Sequence, residues 1–200
     1  MSNGTNNSQG FKNDLLYPTL TLVIICFIVT LLLSGTNLLT SKKIEKLSKK
    51  QQNDSMSEVM PADEYVEFPF QVKDGYADCY KAVKDGNEIG YIFITSAKGY
   101  GGDISVMTAI NQEKTIKAIK ILSADDETPG LGQNVKRADF LKQFSKLKDN
   151  ITAVKNGADN TKGEINAVTG ATRSSRAVTT AVNKALEYMN ELTQEVTANE

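Results

Sequence analysis

Asn166-Ala-Val-Thr-Gly-Ala-Thr172-Arg-Ser-Ser175 is a run of small residues and hydroxyls that ends where a strongly periodic segment begins. Beyond it, apolar residues recur at Val178, Val182, Ala185, Leu186, Met189 and Leu192. That three-to-four spacing predicts a helix with one buried face. Ser174 or Ser175 is expected to cap the helix by accepting a bond from a first-turn amide. A helix N-terminus has unpaired amides and partial positive charge, so it suits a phosphate group. Thr172 is thus a hydroxyl placed at such an end. As residues alone, the same run also reads as an ordinary turn and cap.

Upstream the period shortens to that of strands. Tyr65-Val-Glu-Phe-Pro-Phe-Gln-Val72 reads as an edge strand interrupted by proline. Cys79–Val83 and Ile89–Thr95 flank an Asp85-Gly86 pair, which signals a hairpin. Residues 104–110 and 115–122 form a second expected strand pair. Phe140, Leu141, Phe144 and Leu147 mark a short helix with one apolar face. Strands followed by helices predict an α+β domain over 61–200.

No charged residue occurs from Leu15 through Ser41, and the apolar run is densest over 20–33. This length crosses a hydrocarbon core of ~30 Å, which needs about 20 residues. A cleaved signal peptide is the competing reading, but its apolar region normally runs only about 7 to 15 residues. The expected organisation is a tail over 1–14, a transmembrane helix over 15–40, a polar helical stalk over 41–60 and the domain over 61–200. The 23 basic and 24 acidic residues nearly cancel, so nothing favours nucleic acid as a partner. The absence of histidine excludes a histidine-based triad, histidine-ligated haem and a His-rich zinc site. Cys26 and Cys79 lie in different parts of the chain, so neither a disulfide nor a cluster site is expected.

Thr169-Gly170-Ala171-Thr172 followed by Ser174 resembles the flavinylation motif of the FMN-binding domain family. Glu127-Thr-Pro-Gly-Leu-Gly132 matches a second motif of that family, and Lys98-Gly-Tyr-Gly-Gly-Asp-Ile104 a third. The resemblance implies a covalent FMN, held by a phosphoester to Thr172, with Thr169, Gly170, Ala171 and Ser174 completing the motif. It also implies that the loop of Glu127, Thr128, Gly130, Leu131 and Gly132 lies against the flavin. There Thr128 and Leu131 would touch the ring system or side chain, and the Gly130 and Gly132 amides would donate to the polar edge. Tyr100 would stack on or beside the ring, or simply pack over exposed backbone. Three positions depart from the family pattern: Asn166 for aspartate, Asp125 for histidine and Asp103 for proline. Asparagine keeps the acceptor oxygen and loses the charge.

Within the family the chain is similar to the G subunits of Rnf complexes, the ion-pumping ferredoxin:NAD⁺ oxidoreductases. The related C subunits of the Na⁺-translocating NADH:quinone reductases are usually longer. The resemblance implies an electron relay, with position and electrostatics supplied by the protein and no side chain acting as acid, base or nucleophile in the redox step. Implied partners are the multi-spanning and iron–sulfur subunits of the complex, a flavin transferase for maturation, and membrane lipid. It also implies a domain on the outer face. Lys42, Lys43, Lys46, Lys49 and Lys50 follow the apolar stretch, and by the positive-inside rule they point the other way. A stand-alone membrane-anchored flavoprotein and a non-redox anchored binding module are the alternative readings.

Overall fold

The long β-hairpin at the centre of the molecule follows directly from its turn. In the computed structural model, which describes residues 7–68, 70–72 and 75–198, Asp85 and Gly86 both have positive φ, 51° and 75°. Positive φ at both central residues is what a tight turn matched to strand twist requires, and Asp-Gly supplies it at low cost. The turn joins β3 (Gly75–Lys84) to β4 (Asn87–Lys98), and β5 (Asp103–Asn111) and β6 (Ile116–Ser123) continue the antiparallel meander. The expected edge strand is split into β1 (Glu64–Glu67) and β2 (Phe70–Val72), both antiparallel to β3. Pro69 within it, and residues 1–6 of the expected tail, lie outside the described residues.

A long helix, α1 (Asn7–Val59), precedes the sheet. It contains one stretch, Tyr17–Asn37, long and apolar enough to cross a membrane. The chain divides into two compact units, residues 1–51 and 52–200. Within the first, Thr21, Thr30, Thr36 and Thr40 donate their hydroxyls to the carbonyl four residues back, so these four hydroxyls are satisfied inside the helix.

The second unit has its sheet covered on both faces. After β6 come α2 (Ala138–Leu141) with a 3₁₀ turn on each side, a small parallel pair of β7 (Thr152–Val154) and β8 (Glu164–Asn166), and the helix α3 (Thr172–Ala198). The face of α3 expected from sequence is the buried one: Val178, Val182, Ala185, Leu186, Met189 and Leu192 pack on Phe93, Ile104, Val106 and Ile110. Thr95 donates to the Ala181 carbonyl at 2.8 Å, which satisfies a hydroxyl buried in that layer. On the opposite face Met56, Val59 and Met60 pack with Ala82, Ile92, Met107 and Ala109. The last turns of α1, in a stretch that reads as polar in sequence, therefore complete the sheet's second layer. The α+β class and antiparallel sheet are as expected.

Candidate functional site

Three loops converge at the N-terminus of α3, and one carboxylate joins them. Gly99 through Gly102 turn between β4 and β5, with the Gly99 amide donating to the Gly102 carbonyl at 2.8 Å. Residues 124–131 follow β6 and lead into the 3₁₀ turn Gly132–Lys136. Residues 167–171 run from β8 into α3. Glu127, only 2% exposed, lies among them. Its Oε1 accepts from the amides of Tyr100 (2.7 Å) and Gly101 (3.0 Å), and its Oε2 accepts from the Ser174 hydroxyl (2.6 Å). Burial pushes the Glu127 carboxyl upward, but the bonds from Ser174 and the Gly101, Tyr100 and Gly102 amides outweigh it and hold the group below its ordinary value.

The glycines are set by this carboxylate. A Cβ on Gly99 would stand 2.2 Å from Glu127 Oε1, and one on Gly132 would stand 2.3 Å from Oε2. Within the Gly-Leu-Gly loop only Gly132 makes this approach, since a Cβ on Gly130 would meet nothing within 4 Å. Gly170 has a different reason, since its φ of +79° favours glycine, and a Cβ there would reach Leu131 Cδ2 at 3.0 Å.

The helix start differs from the expected cap. The first helical bond runs from the Ser175 amide to the Ala171 carbonyl at 2.9 Å, so α3 begins at Thr172. Ser174 is turned to Glu127. Ser175 Oγ accepts from the Val168 amide and donates to the Ala171 carbonyl, both at 2.9 Å. Both serines therefore anchor the loops beneath the helix, and neither caps a first-turn amide. Thr172 is half-buried, and its hydroxyl has no hydrogen-bond partner among the described residues. Of the three hydroxyls at this helix end, only that of Thr172 is uncommitted.

The chain neighbours of Thr172, Ala171 and Arg173, line a cavity of about 470 Å³, with Tyr100, Thr128, Leu131, Gly170, Gly132, Glu127 and Ser174 completing the wall; Thr172 itself is not part of that lining. The volume falls in the range of ligand sites, about 300–1,000 Å³. Leu131 is 46% exposed and Tyr100 69%. They are two of only three large apolar side chains exposed in the described part of the 52–200 unit, the other being Val66. Arg173, absent from the sequence-based site, donates from Nε to the Gly99 carbonyl at 3.1 Å and lies over the Tyr100 ring at 5.9 Å. Its position directly after Thr172 was the only available sign. An apolar wall, an exposed aromatic, a cation and a helix N-terminus together fit a planar aromatic ligand bearing a phosphate.

The remaining expected residues lie elsewhere. Thr169 is exposed and lines a second hollow of about 360 Å³ with Asn166, Gln143 and Arg137. Gly130 is exposed on its loop with φ +75° and does not line the cavity. Asn166 acts as a bracket: its amide donates to Gln143 Oε1 at 2.7 Å, and its Oδ1 accepts from the Ala158 amide at 3.2 Å. Asp125 is exposed and pairs with Lys136 at 2.8 Å, whose hydrogen bond holds the carboxyl below its usual range. A larger hollow of about 560 Å³, lined by Asp149, Asn183 and Glu187 among others, contains none of the motif residues.

Residues 99–187 match the model of the FMN-binding domain family. The chain is 33% identical over 183 residues to the G subunit of the proton-translocating ferredoxin:NAD(+) oxidoreductase complex of Clostridium ljungdahlii, covering 91% of this chain and 95% of that protein. It is 32% identical to the G subunit of an ion-translocating oxidoreductase complex of Methanosarcina acetivorans, covering 85% and 92%. In fold it resembles the crystal structure of the C subunit of the Na(+)-translocating NADH-quinone reductase of Parabacteroides distasonis, with a TM-score of 0.51 and 22% identity over 57% of this chain and 61% of that one.

Proposed function

The chain belongs to the FMN-binding domain family and, within it, to the G subunits of ion-translocating oxidoreductase complexes, and from that premise we propose that it relays electrons through an FMN covalently attached to Thr172. The observation that carries the assignment to Thr172 is the uncommitted hydroxyl of this half-buried residue at the first turn of α3, whose chain neighbours Ala171 and Arg173 line the 470 Å³ cavity. Ser174 and Ser175 carry hydroxyls within the same turn, but each is held by bonds of the fold. Attachment transfers the FMN phosphoryl group from FAD to Thr172 Oγ1; the phosphoanhydride bond breaks, AMP leaves and the hydroxyl gives up its proton. This chemistry belongs to a separate flavin transferase.

The flavin supplies one- and two-electron redox chemistry when bound. The chain's own residues do the rest. Tyr100, Thr128 and Leu131 would hold the ring, and Arg173 would supply a cation beside it. The α3 N-terminus would favour the phosphate charge. The protein is membrane-anchored through the apolar part of α1. Its partners are the other subunits of the complex, and we place the domain on the outer face, where a diffusible flavin would be lost and a tethered one is kept.

Intact-mass measurement on the full chain co-expressed with a flavin transferase tests the attachment. An increase of one FMN less one water is expected, absent in Thr172→Ala. An unmodified wild-type chain, or an adduct that survives Thr172→Ala, refutes it. Protease treatment of intact cells tests the orientation: cleavage in the domain without lysis is expected, and protection until lysis refutes it.

A further inference from the structure

We infer that Glu127 is the positioning residue of the flavin cavity, an ionised side chain that fixes the 99–102 loop and the first turn of α3 in one geometry before any flavin arrives. The inference rests on the function proposed above for what the cavity holds, and on the contacts of Glu127 for how the cavity is built. A carboxylate has about four lone-pair sites. Here three of them are filled from two segments distant in sequence: the Tyr100 and Gly101 amides on Oε1 and the Ser174 hydroxyl on Oε2. Consecutive backbone amides turned to one anion form a nest, an arrangement that ordinarily receives a bound anion. In this protein the anion is internal.

Its effect on the cavity is geometric. Tyr100 is held by its amide, so its exposed ring stays at the cavity edge, where Arg173 lies over it. Ser174 is two residues past Thr172, so fixing its hydroxyl fixes the helix end that presents Thr172. Glycine at 99 and 132 leaves room for the two carboxylate oxygens and for nothing larger. Glu127 is part of the cavity wall but only 2% exposed, and its oxygens are taken up by Tyr100, Gly101 and Ser174, so it shapes the wall and leaves most ligand contact to Tyr100, Thr128, Leu131 and Arg173.

Hydrogen exchange on the flavin-free full chain in detergent, with Glu127→Gln and Glu127→Ala, tests this. In Glu127→Ala the Tyr100 and Gly101 amides should exchange roughly ten- to a hundredfold faster, the factor that corresponds to one charge-assisted hydrogen bond. Sheet amides of β4 and β5 should keep their wild-type rates. Added acetate should restore protection at those two amides by refilling the nest, and it should also restore the initial rate of flavin incorporation by purified transferase. Glu127→Gln keeps the shape without the charge and should fall between the two; it decides the matter if the alanine variant does not fold. Wild-type exchange in both variants overturns the inference, and so does a rise spread equally over the sheet or unmoved by acetate. A wild-type chain that shows the protected amides yet never takes up flavin refutes the proposed function instead.

Discussion

Gly132→Ala puts one methyl group where Glu127 already is. The added Cβ would lie 2.3 Å from Glu127 Oε2, 2.9 Å from Ser174 Oγ and 3.0 Å from Glu127 Cβ. The carboxylate is not a free side-chain end, because Tyr100, Gly101 and Ser174 hold it. Moving it far enough to relieve the contact breaks at least one of these bonds. Overpacking costs about 1–3 kcal/mol, and a lost bond to a charged group costs about 1.5–3 kcal/mol. The expected total is roughly 2.5–6 kcal/mol, which lowers the melting temperature by roughly 5–24 °C for a chain of this size. Thermal unfolding of the full chain in detergent, followed by near-ultraviolet circular dichroism of the tyrosines, reports on the right unit, since only Tyr17 lies in the membrane-length stretch. Gly130→Ala is the internal control. Nothing lies within 4 Å of its added Cβ, and only the φ of +75° opposes it, at about 1–2 kcal/mol. A Glu127→Ala background removes the 2.3 Å contact and the bonds it would break but keeps the contacts with Ser174 Oγ and the residue-127 Cβ, so the cost of Gly132→Ala should fall by about 1.5–3 kcal/mol, whereas that of Gly130→Ala should not change. Equal costs for Gly132→Ala in the two backgrounds would refute the reasoning.

The folded state holds Glu127 below its ordinary value, so its contribution is fully present above the unfolded carboxylate value of about 4.3 and is lost as pH falls through the lower folded value. Acid unfolding of wild type should therefore be steeper than that of Glu127→Gln, and parallel acid limbs would contradict this. A fragment starting at Pro61 loses Met56, Val59 and Met60, each at most 3% exposed, which removes at most roughly 5–9 kcal/mol from a net stability of about 5–15 kcal/mol. It should show no cooperative melt, whereas a fragment from Gln52, which keeps the bond of Gln52 to the Tyr80 hydroxyl at 2.8 Å, should show one. Asn166→Asp retains an acceptor for the Ala158 amide, so its melting should stay within about 0.5 kcal/mol of wild type and its extent of flavin incorporation should be no lower; a large loss of either would show that the amide group itself is required.

The fold was legible wherever a local rule decides it. Asp85-Gly86 specifies its turn by backbone preference alone, and the six apolar positions of α3 specify a face by period alone. The uncharged run of α1 is read from length. The second layer of the sheet was not legible in the same way. Met56, Val59 and Met60 stand in a segment dominated by polar residues, and the spacing of three apolar side chains is too short a pattern to separate from a solvated stalk. Burial there is decided by Ile92, Met107 and Ala109, which are buried on the other side of β4 and β5. Their neighbours Tyr91, Phe93 and Val106 are buried as well, so the strands lack the polar alternation that would have marked one face as wet.

At the site, the motif residues were legible and their division of labour was not. The family resemblance places the loop of Glu127, Gly130 and Gly132 against a ligand, and the glycines at 99, 101 and 102 read only as a turn or bulge. The approach at Gly99 and Gly132 is to Glu127 itself, across 28 and 5 residues of chain respectively. No local pattern encodes a carboxylate that must meet amides 26 and 27 residues away and a hydroxyl 47 residues away. The Glu127 carboxylate also explains why Ser174 is unavailable as a cap. Gly99, Glu127, Gly132 and Ser174 are therefore packed as one unit, three of them forming part of the cavity wall. On the proposed function, a substitution at any of them should act on Thr172 through the helix end, whereas substitutions at Tyr100, Leu131 or Arg173 should act on the ligand's contacts.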